Sequence, residues 1–423
     1  MGNELRIVLV EPNGSGGLIH YTYQLCTALA KEGIDVTLIT GKNYELAELP
    51  HNFHVNNMLD LWTLFETRSL RSEVGNVWKR IWQKFHWTVR RGIRALRLIR
   101  AWVQLTRYLT ALRPDLIQFS KINFPFESFF LARLQKNGLT LTQICHEFEL
   151  RESTGVFSGL ILRAYSNIYT HFSALFFHAR ENRDRFLKLF PFVPQERTHI
   201  IAHGNSDWLL RINSDPPSVL RDHYNLSDDE FVILFFGLLA PSKGLDDLVD
   251  AFALVHSSCN ARLLIVGYPT KHISMDDLRM RISTLGLQNH VIVDARYIPL
   301  NQVRPLMELA TLVVYPYVSS TQSGALQVAY TFGKPVIATN VGGLPEAVDD
   351  SKSGFLVPVH SPRDLADKMI TMINNPDLVT QMGLYARHLS ETRFDWQMIA
   401  RQLLKVYEDL LSSKSGLTTG DND

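Results

Sequence analysis

Three loops in this sequence combine glycine with lysine or hydroxyl residues, as anion-binding sites do. The first loop, Gly14-Ser-Gly-Gly17, lies between an apolar run at residues 6–10 and an amphipathic stretch. Backbone amides and the helix dipole attract anions at a helix N-terminus, so Gly16 and Gly17 could bind a phosphate. The loop is not GxGxxG, and no acidic residue follows at the ribose-reading position, which argues against a nicotinamide site. The alternative is a tight turn in which the glycines only relieve crowding.

The second loop places a lysine at the entrance of a helix. Its sequence is Gly237-Leu-Leu-Ala-Pro-Ser-Lys243-Gly244, between a predicted strand at residues 231–236 and a predicted helix at residues 245–256. A lysine in this position can stabilise a negatively charged leaving group. The alternative is a solvated surface lysine.

The third loop is rich in hydroxyl groups and precedes a predicted helix at residues 325–332. It contains Ser320, Ser323 and Gly324. Hydroxyls and free amides at a helix entrance could bind phosphate or sugar hydroxyls. The alternative is an ordinary capped helix.

The elements that must position these loops are apolar strands alternating with amphipathic helices, and the alternation occurs twice. This pattern predicts an α/β protein with two doubly wound, Rossmann-like domains. We place the domains at residues 1–210 and 211–394, followed by a last helix at 395–411 and a disordered polar tail at 412–423. The predicted strands are at residues 6–10, 36–40, 115–119, 141–145, 175–178, 199–202, 231–236, 262–266, 291–294, 312–315 and 335–339.

Taken together, the three loops resemble those of the retaining family 4 glycosyltransferases, the group 1 glycosyl transferases with the GT-B fold. Ile144-Cys-His-Glu-Phe148, Gly333-Lys-Pro-Val336 and Gly342-Gly-Leu-Pro-Glu346 extend the match, so that the resemblance covers nearly the whole chain. It implies an N-terminal acceptor-binding domain and a C-terminal nucleotide-sugar-binding domain facing across a cleft. It also implies that the last helix crosses back to the N-terminal domain.

The resemblance implies transfer of a sugar, of hexosyl type, from a nucleotide-diphosphate sugar to an acceptor hydroxyl with retention of configuration. The leaving phosphate would take the acceptor proton, so neither a protein nucleophile nor a metal or other cofactor is expected. In the catalytic roles that the resemblance implies, His146 faces the sugar and Lys243 stabilises the diphosphate. The alternative for His146 is a hydrogen-bonded histidine at a strand end. The expected donor-binding residues are Gly16, Gly17, Gly237, Lys243, Ser320, Ser323 and Gly324, with Tyr297 against the base.

The sequence departs from the family pattern at three positions. Leu238 stands where the family has arginine, and Ser320 and Val328 stand at the two glutamates of the E-x7-E pair. Val328 cannot accept a hydrogen bond, so the identity of the ribose contact is open. Two alternatives therefore stay open: a catalytically silent GT-B scaffold or partner protein, and a sugar-nucleotide epimerase.

A basic aromatic segment accounts for the unusual charge distribution. The net charge is only +1, yet residues 74–113 contain ten Lys or Arg, no Asp or Glu and four of the seven tryptophans. We predict an amphipathic helix at residues 77–113 that lies in an anionic membrane interface, with a glycan or polyprenyl-linked acceptor. The alternatives are a helix packed on its own domain and, less favoured because no motif accompanies the charge, a nucleic-acid-binding segment. The expected membrane or acceptor contacts are Trp78, Trp82, Arg90, Arg91, Arg94 and Arg97.

Cysteine usage and hydropathy predict the compartment. The three cysteines, Cys26, Cys145 and Cys259, lie far apart without metal-ligand spacing, which favours a reducing compartment. No apolar run is long enough to span a bilayer. We therefore expect a cytoplasmic protein, peripheral on the cytoplasmic face of the membrane, in polysaccharide or glycolipid assembly.

Overall fold

The computed structural model describes residues 5–61, 77–122, 124–148, 166–228, 230–257 and 259–418. The chain divides into two compact units. Unit 1 comprises Met1–Phe177, Arg183–Ile201 and Trp396–Asp423. Unit 2 comprises His178–Asn182 and Ala202–Asp395.

Unit 1 is built on a parallel sheet. Its described strands number seven, in the order β3-β2-β1-β4-β5-β6-β7. The inner strands β1, β4, β5 and β6 are almost entirely buried because helices cover both faces of such a sheet. The elements in chain order are β1 (Arg6–Glu11), α1 (Gly17–Lys31), β2 (Asp35–Gly41), β3 (His54–Leu59), α2 (Val77–Leu112), β4 (Leu116–Phe119), α3 (Glu127–Lys136), β5 (Thr140–Ile144), β6 (Ala174–Phe177), α4 (Arg180–Leu189) and β7 (Thr198–Ile200).

Unit 2 repeats the architecture with a sheet whose described strands number six, in the order β10-β9-β8-β11-β12-β13. All of its strand pairs are parallel. The elements are α5 (Pro217–His223), β8 (Phe231–Phe236), α6 (Leu245–His256), β9 (Ala261–Val266), α7 (Met275–Thr284), β10 (Val291–Asp294), α8 (Leu300–Leu309), β11 (Leu312–Tyr315), α9 (Gly324–Thr331), β12 (Val336–Thr339), α10 (Leu344–Ala347), β13 (Gly354–Val357), α11 (Pro362–Ile373) and α12 (Pro376–Glu391). A final helix, α13 (Trp396–Thr418), clusters with unit 1.

The predicted fold class is confirmed, and the differences concern short or polar segments. The last helix continues to Thr418, beyond the predicted end at residue 411, so residues 412–418 are helical and not part of a disordered tail. The second unit takes over after Ile201, earlier than the predicted boundary at residue 210. Residues 419–423 of the predicted tail lie outside the described residues.

The strand order of each sheet reverses beside its first strand. In unit 1, β1 lies between β2 and β4, and in unit 2, β8 lies between β9 and β11. Open α/β sheets bind ligands at such a switch point, outside the carboxyl ends of the strands. The loops that follow β1, β4, β8 and β11 are therefore the places where binding residues are expected.

Candidate functional site

Lys243 lies at the switch point of unit 2, in a 3₁₀ turn after β8. Its Nζ is 3.6 Å from the centre of the Tyr317 ring, which follows β11, at cation–π distance. The next residue, Gly244, has φ 64°, and a Cβ there would lie 1.9 Å from the Pro316 carbonyl oxygen. Only glycine lets the lysine loop come this close to the end of β11.

Tyr317 connects the lysine to the first turn of α9. Its hydroxyl is 3.1 Å from the Ser323 Oγ, and burial raises the pKa of the phenol to about 12. Ser323 caps α9, since its Oγ accepts from the Leu326 amide at 3.1 Å. Lys243, the Tyr317 phenol and the N-terminus of α9 thus form a series of contacts. We call the residues of this series the lysine–α9 cluster: Lys243, Tyr317, Ser323 and Gly324. Positive charge and helix amides together suit an anion.

His203 joins this cluster, although the sequence analysis did not select it. A Cβ at Gly324 would lie 3.5 Å from the His203 ring, so the glycine leaves room for the ring beside the α9 N-terminus. Its Nδ1 is 3.0 Å from the Gly204 carbonyl oxygen and donates to it, and burial lowers the pKa of the imidazole to about 4. The imidazole is therefore neutral at pH 7. The sequence feature that could have indicated this position is the His203-Gly204 pair, directly after the predicted strand at residues 199–202.

Three other predicted donor contacts of unit 2 have different surroundings. Ser320 is fully buried, and its hydroxyl donates to the Gln322 carbonyl at 3.0 Å. Its side chain shapes the loop, and its contact with the donor stays a prediction. Gly237, with φ 147°, directly follows β8, and a Cβ on it would lie 3.7 Å from the Ala325 Cβ in the first turn of α9. Tyr297 is half-buried in the loop after β10, and its contact with a base stays a prediction.

Glu346, the glutamate of the Gly342–Glu346 pattern, accepts hydrogen bonds from backbone amides. Its carboxylate accepts from the amides of Arg180, at 2.6 Å, and Glu181, at 3.2 Å, in the first turn of α4. A carboxylate at a helix N-terminus is stabilised by the helix dipole. Glu346 therefore caps the helix start at Arg180, and both residues belong to unit 2.

In unit 1, a carboxylate of the protein itself contacts the glycine loop. The Gly16 amide donates to the Glu45 Oε1 at 2.6 Å, and the His20 Nε2 lies 2.5 Å from the same oxygen. The Gly16 amide is thus engaged by a carboxylate at the N-terminus of α1, and its contact with a donor stays a prediction. Gly17 is exposed, with no atom within 4 Å of where its Cβ would be.

A buried carboxyl group lies at the switch point of unit 1. Glu11 ends β1 with no exposed surface, contacts the Ser120 hydroxyl and accepts from the Asn13 amide at 2.8 Å. Burial raises the pKa of this carboxyl group above its ordinary value. Glu11 therefore fixes the start of the glycine loop, a role that the sequence analysis did not identify because the residue looked like the end of an apolar strand.

His146 follows β5 and is only 4% exposed. Its ring meets Tyr21 edge-to-face at 4.7 Å between centroids, and Tyr21 meets Trp396 at 4.8 Å. Aromatic packing of this kind orients a ring within a core. The predicted contact of His146 with the sugar stays a prediction, and its burial favours the strand-end alternative.

Two family models match the chain. The model described as "Glycosyl transferase 4-like domain" matches residues 16–204, and the model described as "Glycosyl transferases group 1" matches residues 230–375. The chain belongs to the group 1 glycosyltransferases. The first match begins at Gly16, within the glycine loop of unit 1, and the second contains the lysine–α9 cluster of unit 2.

Known relatives of this group 1 glycosyltransferase agree with that assignment. The D-inositol 3-phosphate glycosyltransferase of Jonesia denitrificans is 32% identical over 223 residues, 50% of this chain and 51% of that protein. The chain thus spans about half the length of the curated relatives it matches.

Solved structures show the same GT-B fold. The sucrose-phosphate synthase of Thermosynechococcus elongatus has a TM-score of 0.71 at 19% identity, over 97% of this chain and 100% of that one. Anabaena HepE, solved in complex with UDP and glucose, has a TM-score of 0.70 at 20% identity, over 96% and 100%.

The basic segment of this group 1 glycosyltransferase forms one long helix, α2. The side chains of Trp78, Trp82, Arg90 and Arg91 lie outside the described residues, whereas Arg94 is half-buried and Arg97 is exposed. The C-terminal half packs on unit 1, where the Trp102 Nε1 donates to the Glu127 Oε1 at 2.9 Å. Before Trp102, α2 carries exposed apolar side chains with 43% to 69% of their surface accessible: Val89, Ile93, Leu96 and Ile99.

No helix among the described residues is long and apolar enough to cross a bilayer. Nor do those residues group three His, Cys, Asp or Glu side chains as a metal site would. Metal independence of the reaction stays a prediction.

Proposed function

We propose that this protein transfers a glycosyl group, of hexosyl type, from a nucleoside diphosphate sugar to an acceptor hydroxyl with retention of configuration. The observation that carries the proposal is the lysine–α9 cluster at the switch point of unit 2. Membership of the group 1 glycosyltransferases supports the reaction class. The complexes of HepE with UDP and with UDP-glucose support the donor class.

The cluster has the charge that this reaction needs. As the glycosidic bond breaks, negative charge gathers on the leaving diphosphate, and a cation with helix amides beside it lowers the barrier. One well-placed donor of this kind is worth about 3 kcal/mol. The departing phosphate oxygen takes the proton of the acceptor hydroxyl, so the proposal needs no nucleophile from the protein.

Turnover of nucleotide sugars tests the proposal. Donors are first screened by thermal shift, because a bound donor stabilises the native state by mass action. Lys243→Ala should then lower kcat about 100-fold, whereas Lys271→Ala, an exposed lysine of the same unit, should leave it unchanged. Equal rates for the two variants would refute the role of Lys243.

The missing acids favour one rival function. Ser320 is buried and Val328 is apolar at the two positions where the family has glutamates, which suits a silent GT-B protein. Nucleotide binding without turnover on any acceptor would establish that rival. Conversion of a nucleotide sugar with no acceptor present would instead indicate an epimerase.

We also propose that α2, with its exposed residues between Val89 and Arg100, lies in an anionic membrane interface on the cytoplasmic face, with an acceptor that is lipid-linked or a polysaccharide precursor. Exposed apolar residues among arginines are what such an interface attracts. The relative named for D-inositol 3-phosphate suggests a small phosphorylated acceptor as the competing class. Liposome flotation with and without phosphatidylglycerol tests the attachment. Glutamine at positions 90, 91, 94 and 97 should abolish flotation, and equal flotation of that variant would refute it.

A further inference from the structure

A cavity of about 440 Å³ in unit 1 lies outside the loops described so far. It is open to solvent between α2 and the ends of two strands, and three of its lining side chains are cations. Its polar lining consists of Lys42, Asp60, Arg97, Arg100 and Gln104.

The position of the cavity is that of a ligand site. Lys42 directly follows β2 and Asp60 directly follows β3, so both lie at the carboxyl edge of the sheet. Ligands of open α/β sheets bind beyond this edge. Arg97 and Arg100 are three residues apart on α2, which places them on one side of the helix.

The side chains that line the cavity carry a net positive charge even when Lys42 and Asp60 are taken as an ion pair. Asp60 Oδ2 is 3.4 Å from Lys42 Nζ, and their side chains are 58% and 60% exposed, respectively. An ion pair this exposed contributes little. The two arginines add two further charges, and guanidinium groups bind phosphate through paired hydrogen bonds. A cavity of this size holds a phosphate together with a small organic group.

We infer that Lys42, Arg97 and Arg100 form a binding site for a phosphate group of the acceptor. The identity of the ligand as an acceptor depends on the proposed glycosyl transfer, but phosphate binding itself does not. Ile93, one helical turn before Arg97, is 48% exposed and extends the same side of α2 with an apolar surface. The phosphate can therefore come from a free sugar phosphate or from a lipid-linked one.

Calorimetric titration with inorganic pyrophosphate, in saturating UDP, tests the free-phosphate source. Lys42→Gln, Arg97→Gln and Arg100→Gln should each weaken binding about fivefold, as expected for one partly exposed charge at contact distance. Asp60→Asn should tighten binding by a similar factor because it removes a repelling carboxylate. Arg107→Gln, an exposed arginine further along α2, is the matched control and should change nothing.

Flotation with phosphatidylglycerol vesicles tests the lipid source with the same variants. A response to Lys42→Gln and Asp60→Asn in opposite directions, in either experiment, supports the site. The inference is overturned if Asp60→Asn fails to strengthen binding in both experiments, or if Arg107→Gln weakens it as much as Arg97→Gln does. Failure of UDP to bind would count against the proposed function alone, because the pyrophosphate response of these variants would persist.

Discussion

Replacing Gly244 with alanine should displace the lysine loop of unit 2. The residue has φ 64°, and a Cβ would lie 1.9 Å from the Pro316 carbonyl oxygen. The left-handed backbone alone costs a non-glycine residue about 1–2 kcal/mol. The Cβ–oxygen overlap exceeds 1 Å relative to an ordinary contact of about 3.2 Å, so the backbone must also move.

Gly286→Ala is the matched control for this experiment. Gly286 has φ 71°, close to that of Gly244, but no atom lies within 4 Å of where its Cβ would be. Alanine there should cost only the left-handed term, about 1 kcal/mol, or a fall in Tm of about 2–4 °C. Gly244→Ala should cost about 3–5 kcal/mol, with a correspondingly larger fall in Tm.

Measuring donor turnover distinguishes a local displacement of the lysine loop from a general loss of stability. If the loop moves, Lys243 leaves its position over Tyr317, and a displacement of about 1 Å near the reacting groups can cost about 100-fold in rate. Donor turnover should therefore fall in Gly244→Ala and stay normal in Gly286→Ala, measured well below both Tm values. Equal Tm values and equal rates for the two variants would refute the steric role of Gly244.

Three further predictions concern groups around the two loops. Tyr317→Phe keeps the ring under Lys243 but removes the hydroxyl that meets Ser323, so urea denaturation should show a loss of about 1 kcal/mol while donor turnover persists. Glu45→Gln removes the charge at the N-terminus of α1 and should lower the free energy of unfolding by about 1 kcal/mol; no change would contradict the capping role. The pKa of His203 is lowered from 6.5 to about 4 in the folded protein, so as the pH falls the unfolded chain is protonated before the folded one. The free energy of unfolding should therefore decrease between pH 6.5 and pH 4, by up to about 3 kcal/mol. His203→Gln should reduce that acid sensitivity in urea titrations at pH 7 and pH 4.5, and an unchanged pH dependence would show that other groups cause it.

Continuous apolar runs made most of the fold predictable. The predicted strands at residues 231–236 and 312–315 match β8 and β11 at both ends, because strands in the middle of a sheet are buried on both faces and apolar throughout. The predicted strand at residues 291–294 also matches β10 at both ends, although β10 is a partly buried edge strand. β3 was missed since it is an edge strand with two asparagines and mostly partial exposure. β13 was missed because it begins with a glycine, which leaves an apolar run of only three residues.

The composition of the binding loops could be predicted, but the partners of their side chains could not. The Lys243 contact with Tyr317 and the Gly16 contact with Glu45 join residues distant in sequence, and only the folded sheet brings them together. Local pattern likewise gave no reason to expect Ser320 to be buried. His203 was missed for the same reason, because its importance depends on its position beside Gly324.

The two helix N-termini that looked alike in the sequence differ in the charge of the group that satisfies them. At α1, the Gly16 amide donates to the Glu45 carboxylate, which neutralises the positive end of the helix. At α9, the Leu326 amide donates to the neutral Ser323 hydroxyl, and Lys243 adds a cation beside the same cap through Tyr317. A neutral cap satisfies the amide without cancelling the dipole, so α9 keeps a field that favours an anion. This difference in charge is the physical reason why we propose that the diphosphate binds at the loop of unit 2.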